Sequence, residues 1–188
     1  SMHSELATLF GIAGTYSEET RQSQPGTEDI NNSQIRLSDG TRIFEPGAFN
    51  TDGRINEATY QMLALDAGMK YQGFSLTGEY YWSWVDDLKT EGDIPVEDLY
   101  DHGFQIQTSY KYVPKSLQGY VAGSKIFGEY GNPWDTAVGV NWYPFNHRLV
   151  RVNGELLYMK DSAIGYSSIP YQVGGDGVAF HTNLEMKF

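Results

Sequence analysis

Six carboxylates, Asp86, Asp87, Glu91, Asp93, Glu97 and Asp98, crowd one short stretch against the single base Lys89. Oxygen ligands at such density are what a divalent cation takes. Their spacing follows no known cation cage, however, and the stretch reads as an acidic, solvated loop. The four histidines, His3, His102, His147 and His181, are scattered and lack the ligand spacing of a zinc site. Serine, histidine and acid are all present for a hydrolytic triad, but no local motif sets a nucleophile beside a base. There is no cysteine, which excludes thiolate metal ligands, disulfides and a cysteine nucleophile. No catalytic residue, metal or cofactor is implied, and the chain reads as a non-enzyme.

A second set of polar residues has a different arrangement: it recurs at every other position. Asp66 and Lys70, then Glu79, then Gln105, Gln107 and Lys111 each alternate with apolar neighbours. So do Arg151, Asn153 and Glu155, and finally His181, Asn183, Glu185 and Lys187. Successive side chains of a β-strand point to opposite faces, so this rhythm predicts strands with one polar and one apolar face. The chemistry on offer is a polar wall rather than a reaction centre.

The elements that must position this wall follow in order. Strands are expected over 6–16, 59–71, 74–84, 104–112, 117–127, 136–142, 150–158 and 178–188. In 74–84, Phe74, Leu76, Gly78, Tyr80, Trp82 and Trp84 alternate with Ser75, Thr77, Glu79, Tyr81 and Ser83. The strand over 117–127 is the weakest, because neither parity is clearly apolar. Between 17 and 56 lies a long polar connection rich in turn dipeptides, with a short hairpin expected at 35–44. A connection of that length is expected to be functional or disordered, and is read as an extracellular or pore-constricting loop. Connections after the second, fourth and sixth strands are short, and those after the first, third, fifth and seventh are long and acidic. Membrane barrels separate their two rims in this way.

Composition agrees with that reading. No window approaches the roughly 18 apolar residues of a membrane helix, but a barrel needs none because only alternate residues meet lipid. The 14 tyrosines and four tryptophans suit aromatic girdles. The net charge of -11 disfavours nucleic acid or an anionic lipid surface as a partner. The fold expected is all-β: an antiparallel, up-and-down transmembrane barrel sheet of about eight strands. The chain is read as a single partial-barrel domain over 1–188.

The segment 68–87, with its Gln72-Gly73-Phe74 turn and its Gly78-Glu79-Tyr80 strand, resembles the phosphate-selective porin O/P-like family of outer-membrane barrels. The eight strands are similar to the carboxy-terminal half of such a barrel. The final strand, with Phe180, Leu184, Met186 and a last Phe188, is similar to the assembly signal that the barrel-insertion machinery reads. The resemblance implies half of a sixteen-stranded, trimeric porin in the outer membrane of a Gram-negative bacterium. It implies a passive channel for ions or small hydrophilic solutes, with the polar set Asp66, Lys70, Glu79, Gln105, Gln107, Lys111, Arg151, Asn153, Glu155, His181, Asn183, Glu185 and Lys187 lining the pore. That set mixes acids and bases, so the family's phosphate specificity does not carry over. The alternative is a complete small barrel of eight strands, with its interior filled by side chains and loops that bind partners. The four long connections hold 18 of the 24 acids, which predicts an acidic mouth and a modest preference for cations.

Overall fold

The computed structural model describes residues 3–32, 35–147, 149–163 and 173–187. Eight strands form one antiparallel sheet: β1 (Ala7–Thr20), β2 (Arg54–Tyr71), β3 (Phe74–Glu91), β4 (Leu99–Val113), β5 (Leu117–Phe127), β6 (Trp134–Trp142), β7 (Val150–Lys160) and β8 (Gly177–Met186). Each strand pairs with its neighbour in sequence, so the topology is up-and-down throughout. The sheet is open, since β1 and β8 have no pairing with each other among the described residues. There is no helix among those residues.

Register carries one face across the whole sheet. Gly11 pairs with Asp66, Asp66 with Glu79, Glu79 with Gln105, and Gln105 with Ser124. Further along, Gly139 pairs with Glu155 and Glu155 with His181. Polar residues therefore meet polar residues from strand to strand. The opposite face is apolar, and it is open to the surroundings. Phe10, Ile12, Ile106, Val138, Leu156, Val178 and Phe180 are all exposed there, Phe10 to 79%.

The short connections are built for tight reversal. Gln72 and Gly73 have φ of 45° and 88°, and Tyr71 pairs directly with Phe74. Two positive φ values in a two-residue loop match the right-handed twist of the flanking strands. Lys115 and Asn146 take positive φ in the other two short turns.

Strands β2, β3 and β4 extend further towards the long loops than alternation predicted. Asp86, Asp87 and Glu91 belong to β3 rather than to a loop, and the connection to β4 shrinks to 92–98. Similarly, β1 reaches Thr20 and β2 begins at Arg54, which trims the first long connection to 21–53. These extensions show no clean alternation because the register slips within them, between Ile55 and Glu57 and between Glu57 and Thr59. Asp87, at φ 50°, marks a bulge that turns Leu88 to the polar face, and the slip beside Asn56 does the same for Ile55.

Those two apolar residues meet the molecule's main core, which lies at the long-loop end. Ile35, Leu37, Ile43, Phe44 and Phe49 of the first long connection pack against Ile55, Ala58, Val85 and Leu99. Phe44 and Ile43 are fully buried. Residues 35–43 form a tight hairpin, with Arg36 bridging Arg42 and the Leu37 amide donating to the Thr41 carbonyl at 2.8 Å. Ala58, Val85 and Leu99 share the face of Asp66 and Glu79. The loop is thus folded over the polar face.

Candidate functional site

Towards the short-turn end, the polar face encloses a cavity of about 840 Å³. Lys70, Ser75, Thr77, Gln107, Ser109, Lys111 and Gln118 line it from four adjacent strands, with Lys115, Tyr143 and His147 from the turns. A flat sheet encloses no such volume, so the sheet wraps towards its polar face. No carboxylate lines this cavity, and Lys70, Lys111 and Lys115 make no ion pair among the described residues. Its wall offers hydroxyls, amides and uncompensated ammonium groups.

Further up the face, acids appear and are engaged. The Gln105 amide donates to Glu79 at 2.7 Å. Tyr120 donates its hydroxyl hydrogen to Glu155 at 2.6 Å, and the Asn153 amide donates to the Tyr120 oxygen at 3.0 Å. His181 lies 3.4 Å from the other oxygen of Glu155. Tyr120 reaches Glu155 by lying across Gly139, where any Cβ would collide with its ring. Gly11 likewise leaves room for the Asp66 carboxylate. At the edge of the sheet Arg151 pairs with Glu185 at 2.9 Å, and Lys187 approaches the same carboxylate at 3.3 Å. The arrangement is a hydrogen-bonded polar lattice of partly exposed groups.

At the long-loop end the folded loop is tied down by a second, polar contact. The Tyr130 amide donates to the Ser38 hydroxyl at 3.1 Å, and the Glu129 amide donates to Asp101 at 3.3 Å. Phe49 meets the Tyr130 ring edge-on at 5.8 Å. Beyond it, at the open end of the β2–β3 pair, away from the Gln72-Gly73 turn, Arg54 donates to Glu91 through Nε at 2.9 Å. That hydrogen bond and the guanidinium charge hold the Glu91 carboxyl below its usual range.

The structure places every described residue of the alternating polar set on this one face. It joins Glu79 with Gln105, Asn153 and Glu155 through Tyr120, and Arg151 with Glu185 and Lys187. Lys70 and Lys111 share the lower cavity. Phe188 lies outside the described residues, while Phe180, Leu184 and Met186 stand exposed on the apolar face. The carboxylates of 86–98 are spread over a strand and a loop, and among the described residues no three His, Asp or Glu side chains are placed to hold a metal ion. Sequence reading missed Tyr120, Gln118 and Lys115. Alternation carried no signal for Tyr120: counted from the Val113–Leu117 pair it falls opposite Tyr110, and only the register shift between Tyr110 and Val113 brings the even positions of β5 opposite Ser109 and Gln105.

No family model matches this chain, and no curated protein or solved structure matches it significantly.

Proposed function

We propose that this chain forms part of the wall of an outer-membrane porin, a passive diffusion channel for small hydrophilic solutes or ions in a Gram-negative bacterium. In this reading the eight strands belong to a larger, sixteen-stranded barrel that assembles as a homotrimer. Outer-membrane lipid and the barrel-assembly machinery are its partners.

One observation carries the reading: the face that a soluble sheet would bury is bare, and it has the layout of a lipid-facing band. Eight strands about 4.8 Å apart, carrying a band about 25 Å tall, present an apolar area on the order of 900 Å². Soluble monomers rarely leave more than a few hundred Å² of contiguous apolar surface uncovered. Aromatic residues edge the band at both ends. On β6, Trp134 and Trp142 bracket Thr136, Val138 and Val140. Trp84 and Tyr100 pair near the long loops at 5.8 Å, while Tyr110 and Tyr112 meet near the short turns at 5.4 Å. Aromatic belts at two levels are how a chain anchors in both interfaces.

The polar face is the lumen in this reading, and the folded loop 35–49 narrows its long-loop end. The complete eight-stranded barrel requires β1 to pair with β8, which the described residues do not show. Open strand edges facing lipid leave backbone groups unpaired at several kcal/mol each, so further strands must supply the pairing.

Topology tests the proposal. Single cysteines at Glu91 or Asp98 are expected to react with an impermeant thiol reagent on intact cells. Cysteines at Gln72 or Asn146 are expected to react only after the outer membrane is breached. Equal labelling of all four positions refutes the membrane assignment.

A further inference from the structure

From β4 to β8, the apolar face carries two formal charges, Lys125 and Lys160. Both are basic, in a chain whose 24 acids outnumber 13 bases. They flank one tryptophan: Lys125 pairs with Trp134, and Trp134 pairs with Lys160. At about 4.8 Å between strands, the two lysine backbones stand roughly 10 Å apart. The Lys125 ammonium sits 4.8 Å from the Phe127 ring centroid. Phe127 in turn stacks on His102, with centroids 5.0 Å apart and planes 19° apart. A hydrogen bond of 2.6 Å between the Tyr80 hydroxyl and Nδ1 fixes that imidazole.

The two lysines are not equivalent. Lys160 is engaged by Asp176 at 2.6 Å and by Asp161 at 3.7 Å. Lys125 makes no ion pair among the described residues. On the other side of the sheet, towards the long-loop end, the same face carries the acids Glu18 and Asp86. An anion approaching the rim is therefore repelled at β1 and β3 and attracted at β5.

We propose that the patch around Lys125 and Trp134 seats the phosphorylated headgroup of an anionic membrane lipid, whose acyl chains lie along Val121 and Val138. A lysine that merely reached for water would extend away from the rings. This one is held over an aromatic platform, where an ammonium keeps a favourable ring contact while it pairs with a phosphate. The tryptophan beside it supplies the amphipathic surface that headgroup regions favour. The inference rests on the membrane reading of the apolar face, and the experiment separates the two.

Brominated lipids quench tryptophan only in contact, which makes Trp134 a reporter of its own lipid neighbours. Two variants of the full-length protein each keep one tryptophan, Trp134 or Trp142, with every other tryptophan changed to phenylalanine. Each is reconstituted in vesicles that mix phosphatidylcholine with phosphatidic acid, one or the other brominated. Trp142, whose paired neighbours Leu117 and Val152 are neutral, is the control at the opposite rim. The expected result is equal quenching of Trp142 by both lipids and a preference of about fivefold for phosphatidic acid at Trp134, the ratio that one lysine near an anionic surface supplies. Lys125→Gln is expected to abolish that preference while leaving Trp142 unchanged, and inorganic phosphate is expected not to displace the lipid.

Equal quenching of Trp134 by the two lipids overturns the headgroup site while leaving the membrane reading intact. Displacement by inorganic phosphate identifies a free-anion site and overturns the lipid assignment. Absence of quenching at both tryptophans overturns the membrane reading, and the site with it.

Discussion

Val138 stands at the centre of the apolar band, and changing it separates a lipid-facing wall from a soluble surface. It lies on β6 four residues from Trp134 and four from Trp142, and it is 57% exposed. Four residues at about 3.4 Å, on a strand tilted by about 40°, place it about 10 Å from each aromatic level. That is the middle of a band about 25 Å tall. In water, Val138→Arg at so exposed a position changes stability by no more than about 0.5 kcal/mol. At a bilayer midplane the same arginine costs about 2–4 kcal/mol. At about 1.4 kcal/mol per factor of ten, this is a loss of roughly 30- to 700-fold in the folding equilibrium. Asn183→Arg, at an exposed position on the polar face of β8, meets no lipid and is expected to stay within about 0.5 kcal/mol. Guanidinium titration of the protein in phosphatidylcholine vesicles, followed by tryptophan emission, measures both variants. A neutral Val138→Arg, or equal losses for the two, refutes the assignment of faces to lipid and lumen.

Three further outcomes follow from the same geometry. Phe44→Ala removes a fully buried ring from the contact that holds the loop over the polar face; a loss of about 3–5 kcal/mol there is expected to free the loop and raise single-channel conductance, and unchanged conductance places the loop outside the conduction path. Reversal potentials under a salt gradient are expected to show a modest cation preference, strongest at low salt, because 18 of 24 acids lie towards the long-loop end; Lys111→Gln, which removes an ammonium from the lower cavity, is expected to strengthen it, and a clear anion preference refutes the argument. The Glu91 carboxyl is expected to titrate below the usual range by NMR and to return towards it in Arg54→Gln; since its folded pKa is depressed, what it adds to hairpin stability is present above the unfolded pKa and lost as pH falls through the folded one.

How much of this was legible in the sequence depends on which neighbours a residue has. The middle stretches of β3, β6 and β8 were readable because the two faces there see unlike surroundings, and each alternate residue is selected for one of them. The outer reaches of β1, β2 and β3 lie past the aromatic level, where one face is wet and the other is partly covered by the folded loop 35–49. Thr20, Arg54, Asp86 and Glu91 are strand residues by backbone pairing alone, and pairing leaves no trace in side-chain polarity. The bulge at Asp87 then reverses parity, so even a careful count of alternation fails there. β5 was faint for a different reason. Its apolar face carries Gly119, Gly123 and Lys125, and its polar face carries Ala122 and Ile126, so residue types alone blur the two sides. What orders it is cross-strand packing: Tyr112 covers Gly119 on the apolar face, and Tyr120 covers Gly139 on the polar one. A glycine beneath a neighbour's aromatic ring contributes a buried surface that its own side chain does not encode. The apolar residues at 35–49 carry the same lesson. In a polar connection they mark a contact, but the sequence does not say with which surface; the bulges that turn Ile55 and Leu88 inward make the polar face the one that receives them.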